Sequence, residues 1–265
     1  TDVVIVVVGS SDNYETEGED RPSMKLTGKQ DKLIESILNV NKNTIVIMNT
    51  GSPIEMPWID RCPAVLQVWL PGQEYGNALS NVLFGNVNPS GKLPVTFPKR
   101  IEDNPSFGYY PGEDKVIYNE GIYVGYRHYD TRNVEPLFPF GHGLSYAEFD
   151  YKELECPKQV QSLDNIELSF SVQNTGKVKG QEVVQCYVRD ISSSLDRPLK
   201  ELKEFQKISL LPGESTMVNL SLDKSSFSFF DDRINKWIIE PGDFEILIGS
   251  SSKDIRLKQT INYNN

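Results

Sequence analysis

The sequence predicts an α/β half followed by an all-β half. As far as Gly85, β-branched runs alternate with stretches of helical periodicity, which is typical of a parallel sheet with helical crossovers. After Tyr151, short alternating segments are separated by turns that contain Gly and Pro, which favours a β-sandwich. The length of 265 residues suits one large domain or two ordinary ones.

The first half opens with a strand and a helix. The β-branched run from Val3 to Val8 predicts a strand that is covered on both faces. The stretch TGKQDKLIESILNV predicts a helix in which Thr27 is the N-cap and Gln30 is its capping-box partner. The residues expected to form the buried stripe of this helix are Leu33, Ile34, Ile37 and Leu38.

Two more strands and a helix follow. Thr44–Pro53 is predicted as a buried strand that ends in a Gly/Pro turn, and Ala64–Gly72 as a third strand. EYGNALSNVLFG predicts a short helix closed by Gly85. In an open parallel sheet, ligands gather at the carboxyl ends of the strands, so the loops after these strands are the places to look for function.

From Asn86 to about Asp150 the composition changes to Gly, Pro, Asn, Tyr and Phe. Disordered segments are poor in aromatic residues, so this long segment is predicted to be an ordered strap packed across a domain junction. In the remaining part, NIELSFSVQNTG alternates through Ile166, Leu168 and Phe170. The spacing of the later strands suits one immunoglobulin-like or fibronectin-type module. We therefore expect domains at 1–150 and 151–265.

The composition limits the classes of partner. The net charge of −10 argues against nucleic acid or an anionic membrane surface. No apolar run has the length of a membrane span. The chain opens at a strand, without an initiator Met, a basic segment or a cleavage site, so we interpret it as part of a longer protein. Its sequence does not distinguish a cytoplasmic from a secreted location, and homo-oligomerisation is left open.

An acidic stretch, NYETEGEDRPSMKLTGKQ, begins just past the first strand. Its carboxylates are either solvated surface groups or include one with a chemical role. They are Glu15, Glu17, Glu19 and Asp20. Gly18 would let the backbone aim the preceding Glu17 sharply, and Asp20 is expected to form a local ion pair with Arg21.

The other candidate residues are interpreted as structural. His128 and His142 have no Ser or Cys partner at a recognisable spacing for a nucleophilic triad. Glu74 is placed at a helix start, where an acid stabilises the dipole. Sugar stacking by one of the tryptophans stays open beside packing; these are Trp58, Trp69 and Trp237. Three cysteines without a CxxC or Cys/His cluster indicate reduced, mostly buried thiols and no metal site, and nothing suggests a cofactor.

Four separated stretches resemble one family. ETEGEDRPSMKLTGKQDKLI is similar to the acid/base segment of family 3 glycoside hydrolases, the β-glucosidase group. WLPGQEYGNALSNVLFGNVNPSGKLPVTFP resembles that family's helix and its NPSG-x-LP-x-TFP loop. NEGIYVGYRHYD with PLFPFGHGLSY resembles its junction signature, and NTGKVKGQEVVQCYVRD its fibronectin type III-like module. The resemblance covers nearly the whole chain, with Glu19 as a departure where the family has Tyr or Phe.

The resemblance implies the C-terminal portion of a retaining β-glucosidase, made of part of an α/β sandwich domain and a fibronectin type III-like β-sandwich. It implies that Glu17, directly before Gly18, is the general acid/base, with Glu15 as the main rival. It also implies that an N-terminal barrel, which carries the nucleophile and most sugar contacts, is absent from this chain. The substrate would be a β-glucoside or oligosaccharide with a terminal β-D-glucosyl residue.

Two alternatives remain at this point. A β-xylosidase of the same family would carry the same segments, because the contacts that discriminate sugars lie in the missing barrel. A non-catalytic carbohydrate-binding or interaction fragment would share the scaffold without the reaction. In either case the isolated 265 residues are expected to be inactive, because no partner carboxylate is identifiable.

Overall fold

The computed structural model describes residues 1–11, 13–110, 112 and 114–264. The chain divides into two compact units. The first consists of Thr1–Leu83, Phe97–Ile117 and Glu135–Leu137. The second consists of Phe84–Thr96, Tyr118–Val134 and the residues from Phe138 onward. The segment predicted as a strap is therefore shared between the two units.

The first unit is built on a parallel sheet with the order β1-β2-β3. Its strands and helices are β1 (Val4–Gly9), α1 (Gln30–Val40), β2 (Thr44–Asn49), β3 (Ala64–Gln67) and α2 (Tyr75–Leu83). In the register, Gly9 is opposite Asn49, and Met48 is opposite Gln67. The three strands therefore end at one edge of the sheet.

The helix α1 covers one face of the sheet. Its Ile34 and Leu38 are buried, whereas Leu33, which was expected in the same stripe, is 49% exposed. Along β1, every second residue is open to solvent, with Ile5 48% and Val7 54% exposed. Within the described residues, α1 packs on one face of β1, and the opposite face, which was predicted to be covered as well, is open.

The helix α1 begins later than predicted. Gly28 has a φ of +67°, outside the helical region, so the helix starts at Gln30 with Lys29 as its N-cap. Thr27 does not cap the helix, and its hydroxyl instead accepts a hydrogen bond from Gln30 Nε2 at 2.9 Å. The same amide bonds both backbone groups of Gly9, with 2.8 Å for each contact. Gln30 thereby fastens the end of β1 to the start of α1.

The second unit contains one α-helix and the remaining strands of the described chain. These are α3 (Tyr126–Thr131), β4 (Phe149–Glu155), β5 (Gln159–Val160), β6 (Ile166–Asn174), β7 (Gly180–Asp190), β8 (Glu201–Leu210), β9 (Ser215–Leu222), β10 (Phe229–Asp231), β11 (Lys236–Ile238), β12 (Gly242–Gly249) and β13 (Ile255–Tyr263). One sheet has the order β5-β13-β12-β7-β8, a second has β4-β6-β9, and β10 pairs with β11 alone.

The two larger sheets enclose a common apolar core. Along β6, Ile166, Leu168, Phe170 and Val172 are buried and alternate with more exposed residues, as the sequence pattern predicts. The opposing sheet contributes apolar residues from β7, β12 and β13 to the same cluster. The predicted fold class, a parallel α/β part followed by an antiparallel β-sandwich, is confirmed.

The cysteines are free thiols. Cys186 lies inside the sandwich core, and burial raises its pKa far above the ordinary value for a thiol. Cys62 and Cys156 are half-buried. Within the described residues, no helix combines the length and the apolar character needed to cross a membrane.

Replacing Gln30 with Ala is expected to loosen the end of β1. The substitution removes both contacts to Gly9, each worth about 1 kcal/mol. The amide of Gly9 should then exchange its hydrogen roughly tenfold faster in the full-length protein, measured by peptide-resolved hydrogen exchange. Gln161→Ala, at an exposed position of the second unit, is the matched control. Unchanged exchange at Gly9 would contradict the fastening role.

Candidate functional site

The acidic loop lies at the carboxyl edge of the parallel sheet. It follows β1 directly, and the Ser10 amide donates to the Asn49 carbonyl at 3.2 Å, so the ends of β1 and β2 are held together. The turn after β2 contributes Thr50, Gly51 and Ser52. The candidate site therefore lies where the sequence predicted it, at the carboxyl ends of the strands of an open sheet.

Glu15 is the centre of a hydrogen-bonded cluster at this edge. Its Oε2 accepts from the Gly51 amide at 2.7 Å and from the Ser10 hydroxyl. Its Oε1 accepts from the Ser52 hydroxyl at 2.5 Å and pairs with Arg21 at 3.3 Å. One carboxylate thus ties the loop to the ends of two strands.

The environment of Glu15 favours its charged form. Burial raises the pKa of the carboxyl, but the four donors just described lower it more, so the pKa lies below its ordinary value of 4.5. A carboxylate that accepts this many hydrogen bonds has no free proton to give at neutral pH. Glu15 is therefore suited to an anchoring role.

Gly51 allows the close approach of this carboxylate. A Cβ built at position 51 would lie 3.1 Å from Glu15 Oε2 and 3.6 Å from Glu15 Cδ. The first separation is tighter than an ordinary van der Waals contact of a methyl group, whereas the second is ordinary. The Gly in the sequence NTGSP therefore has a role in the site that its assignment as a turn residue did not reveal.

The loop also folds back on itself through Tyr14 and Arg21. The Tyr14 hydroxyl donates to the Ser23 carbonyl at 2.9 Å, and the Arg21 guanidinium lies 5.3 Å from the centre of the Tyr14 ring. The pair expected between Asp20 and Arg21 is replaced, since Arg21 pairs with Glu15 and Asp20 accepts from the Tyr110 hydroxyl at 2.5 Å. These contacts fix both ends of the loop.

Glu17 lies at the exposed tip between these fixed ends. Among the described residues, neither a hydrogen bond nor an ion pair is made by the Glu17 or Glu19 carboxylate, and both residues are exposed. The Gly18 amide lies 3.5 Å from the Thr16 hydroxyl, at the limit of a hydrogen bond. The tip therefore presents two carboxyls that are free to meet an external group.

Gly18 does not act as expected. Its φ is not in the left-handed region, and a Cβ built there would meet nothing within 4 Å. The backbone at the tip therefore does not require glycine, and the suggested role of Gly18 in aiming Glu17 is not supported by these dihedral angles.

The end of β3 adds an apolar border in the same unit. Trp69 has a φ of +55°, a strained conformation for a bulky residue, and its ring packs edge-on against Phe97 with centroids 6.0 Å apart. The next residue, Leu70, is 75% exposed. Leu70 Cδ1 lies 3.8 Å from a Cβ built at Gly51, so an exposed apolar side chain borders the Glu15 cluster.

The remaining candidates have structural environments. Glu74 directly precedes α2, and its carboxylate accepts from Asn77 Nδ2 at 2.7 Å. Trp58 is buried and donates from its indole to Asp31 at 2.9 Å. His142 belongs to the second unit and stacks on Phe138 with ring centroids 5.2 Å apart. In the described part of the chain, no group of His, Cys, Asp and Glu side chains is arranged to hold a metal ion.

Comparison with known proteins identifies both parts of the chain. Residues 1–146 match the glycosyl hydrolase family 3 C-terminal domain. Residues 182–252 match the fibronectin type III-like domain, which confirms the predicted module type.

Individual relatives agree with these matches. The chain is 50% identical over its full length to thermostable beta-glucosidase B of Acetivibrio thermocellus, of which it covers 35%. A crystal structure of a beta-glucosidase from Kluyveromyces marxianus in complex with glucose superposes with a TM-score of 0.93 at 38% identity, covering 98% of this chain and 31% of that one. Beta-glucosidase 3B of Thermotoga neapolitana gives a TM-score of 0.91 at 38% identity, covering 100% of this chain and 38% of that one.

The chain thus spans about a third of the length of the relatives that it matches. The matched segment corresponds to their C-terminal portion and includes the loop that carries Glu15 and Glu17. The chain therefore belongs to glycosyl hydrolase family 3, as a C-terminal portion that joins the family's C-terminal domain to a fibronectin type III-like module.

Proposed function

We propose that the full-length protein is a retaining β-glucosidase to which this chain supplies the general acid/base, Glu17. The observation that carries the proposal is the contrast within one loop. Glu15 is held in a cluster of donors, whereas Glu17, two residues later, is exposed on the tip. An acid/base residue must reach a leaving oxygen and then a water molecule, which requires an open side chain on a fixed support.

The proposed reaction has two steps. In the first, the protonated Glu17 gives its proton to the glycosidic oxygen while a carboxylate outside this chain forms a bond to the anomeric carbon and the aglycone leaves. In the second, Glu17 takes a proton from water, and the resulting oxygen attacks the same carbon and releases the carboxylate. The sugar departs with its anomeric configuration retained, and Glu17 is protonated again.

The partner carboxylate would come from the part of the polypeptide that precedes this chain, which we propose to be a barrel domain. A retaining pair requires carboxyl groups about 5–5.5 Å apart. The described residues around Glu17 offer Glu15, which is engaged by its donors, and Glu19, which shares the open tip. We therefore propose that the 265 residues alone are inactive.

The names of the relatives favour a β-glucoside as substrate. The relatives described above carry beta-glucosidase names, and both of the solved structures among them hold glucose. This supports a terminal β-D-glucosyl residue over a xylosyl residue, and an enzyme over a non-catalytic fragment.

Replacing Glu17 with Gln in the full-length protein tests the proposal directly. The amide keeps the shape of the side chain but cannot donate or accept the catalytic proton. We expect kcat/KM on cellobiose to fall about 10²- to 10⁴-fold. The loss should be smaller on an aryl glucoside whose leaving group needs no protonation. Added azide should restore part of this activity and give β-glucosyl azide, because azide attacks without a base.

Glu19→Gln is the matched control, since Glu19 is exposed on the same tip and lacks a partner among the described residues. Its kcat/KM should stay within about threefold of the wild type, in the range expected for a surface change. Near wild-type hydrolysis of cellobiose by Glu17→Gln would overturn the assignment. A large loss in Glu19→Gln, with activity kept in Glu17→Gln, would transfer the role to Glu19.

The anchoring role of Glu15 generates a pH-dependent prediction. A carboxyl whose pKa is lower in the folded than in the unfolded state contributes stability above its unfolded pKa and loses it as the pH falls through the folded pKa. Glu15→Gln should therefore lower the thermal midpoint of the full-length protein at pH 7. The difference from the wild type should shrink as the pH falls below about 4.5.

The variant Glu19→Gln is again the control, because the Glu19 carboxylate has no hydrogen-bond donors to lose among the described residues. Hydrogen exchange should also rise at the Gly51 amide in Glu15→Gln and stay unchanged in the control. A difference in thermal midpoint that does not depend on pH would argue against the charged cluster.

A further inference from the structure

A cleft on the second unit is open to solvent and is lined by aromatic and charged side chains. Its volume is about 740 Å³, within the range of about 300–1,000 Å³ typical of small-molecule sites. The aromatic residues at its border are Phe229, Phe230 and Trp237, and its charged residues include Arg127, Arg197, Glu201, Lys203 and Lys224. The proposed reaction at Glu17 uses none of these residues.

The aromatic border stands on a small ribbon outside both larger sheets. Within the ribbon, Phe230 of β10 is directly opposite Trp237 of β11, so the two rings project from the same face. Their centroids are 5.7 Å apart with an angle of 67° between the planes. The neighbouring Phe229 and Asp231 are buried, at 8% and 3% exposed. The Arg197 guanidinium lies 4.9 Å from the centre of the Phe229 ring and so joins the ribbon to the segment between β7 and β8.

The outward face of the ribbon is unusually open. Trp237 is 70% exposed and Phe230 is 44% exposed. A tryptophan contributes one of the largest apolar surfaces of any side chain, and exposed aromatic surface beside polar groups is typical of a binding groove. The flat ring of Trp237 matches the apolar face that the C–H bonds of a pyranose ring form. The hydroxyl groups of the sugar lie around the rim of this face.

The charged side of the cleft is neutralised internally. Glu201 pairs with Arg127 at 2.9 Å, with Arg197 at 3.3 Å and with Lys203 at 3.4 Å. Arg197 also pairs with Asp190 at 2.9 Å. Lys224 pairs with Asp164 at 2.6 Å. Each of these cations therefore has a carboxylate partner, so the cleft favours a neutral ligand over an anion.

The same groups retain capacity for hydroxyl ligands. The side chains of Arg127 and Lys224 are 39% and 61% exposed, and each carries more N–H donors than its ion pair uses. Donors of this kind can bind the hydroxyl oxygens of a sugar whose ring face lies on an aromatic side chain. Both halves of carbohydrate recognition, a stacking surface and fixed polar groups, are present in one cleft.

We propose that this cleft binds a short neutral segment of a β-linked glucan, with Trp237 as the stacking surface. The site would hold polymeric substrate on the fibronectin type III-like module and would not take part in bond cleavage. The choice of a β-linked glucan rests on the proposed function, and the cleft is tested with separate measurements.

The experiment compares full-length wild type with Trp237→Ala in native gels that contain hydroxyethylcellulose. A long polymer presents few chain ends to an active site that acts on terminal residues, so retardation reports binding along the chain. We expect wild-type protein to be retarded and Trp237→Ala to need about tenfold more polymer for the same retardation. Trp237→Phe, which keeps a ring, should lose less. The kcat/KM of each variant on an aryl glucoside should stay within about twofold of the wild type.

Phe205→Ala is the matched control, because Phe205 is 61% exposed on β8 of the same unit and does not line the cleft. It should be retarded like the wild type. Wild-type protein that is not retarded, or equal retardation of Trp237→Ala, overturns the proposal. A change of oligomeric mass in Trp237→Ala by light scattering, with retardation unchanged, would instead assign the cleft to a second copy of the chain. Glu17→Gln should lose activity but be retarded like the wild type. Failure of the proposed reaction and failure of the proposed binding cleft can therefore be told apart.

Discussion

The candidate site depends on the hydrogen-bonded carboxylate of Glu15. This one side chain joins the acidic loop to the ends of β1 and β2, because it accepts from Ser10 after β1 and from Gly51 and Ser52 after β2. It also pairs with Arg21 of the same loop. A half-buried carboxylate is stable there because each oxygen has donors, and charge-assisted hydrogen bonds are stronger than neutral ones. The base of the loop is therefore held at both ends, which supports the exposed tip.

Two carboxyls two residues apart have opposite environments in this loop. The pKa of Glu15 is held below its ordinary value by its donors, whereas Glu17 projects from the tip with none of these contacts. Different surroundings can give chemically identical carboxyl groups different roles. The local architecture supports the proposed function because the Glu15 carboxylate is occupied by its donors, whereas the tip that carries Glu17 is open to another domain.

In the second unit, the residues that form the core are distinct from those that form the exposed aromatic surface. Its core lies between the two larger sheets, so the ribbon of β10 and β11 is not needed to cover it and can present Phe230 and Trp237 outward. A two-stranded ribbon is marginally stable alone. Here Phe229 is buried and its ring contacts the guanidinium of Arg197, which holds the ribbon in place. An open aromatic surface at this position is therefore compatible with a well-packed sandwich.

The sequence by itself determined the order of elements, the alternation along β6 and the place of the acidic loop, because side-chain periodicity and turn residues act locally. The sequence did not predict the start of α1 correctly, because Gly28 adopts a left-handed φ and Gln30 bonds Gly9, a partner distant in the chain. Which acid is anchored was also decided only by tertiary structure. Two of the donors to Glu15, Gly51 and Ser52, come from the end of a separate strand. No spacing within the loop could reveal that Arg21 pairs with Glu15 and not with its neighbour Asp20.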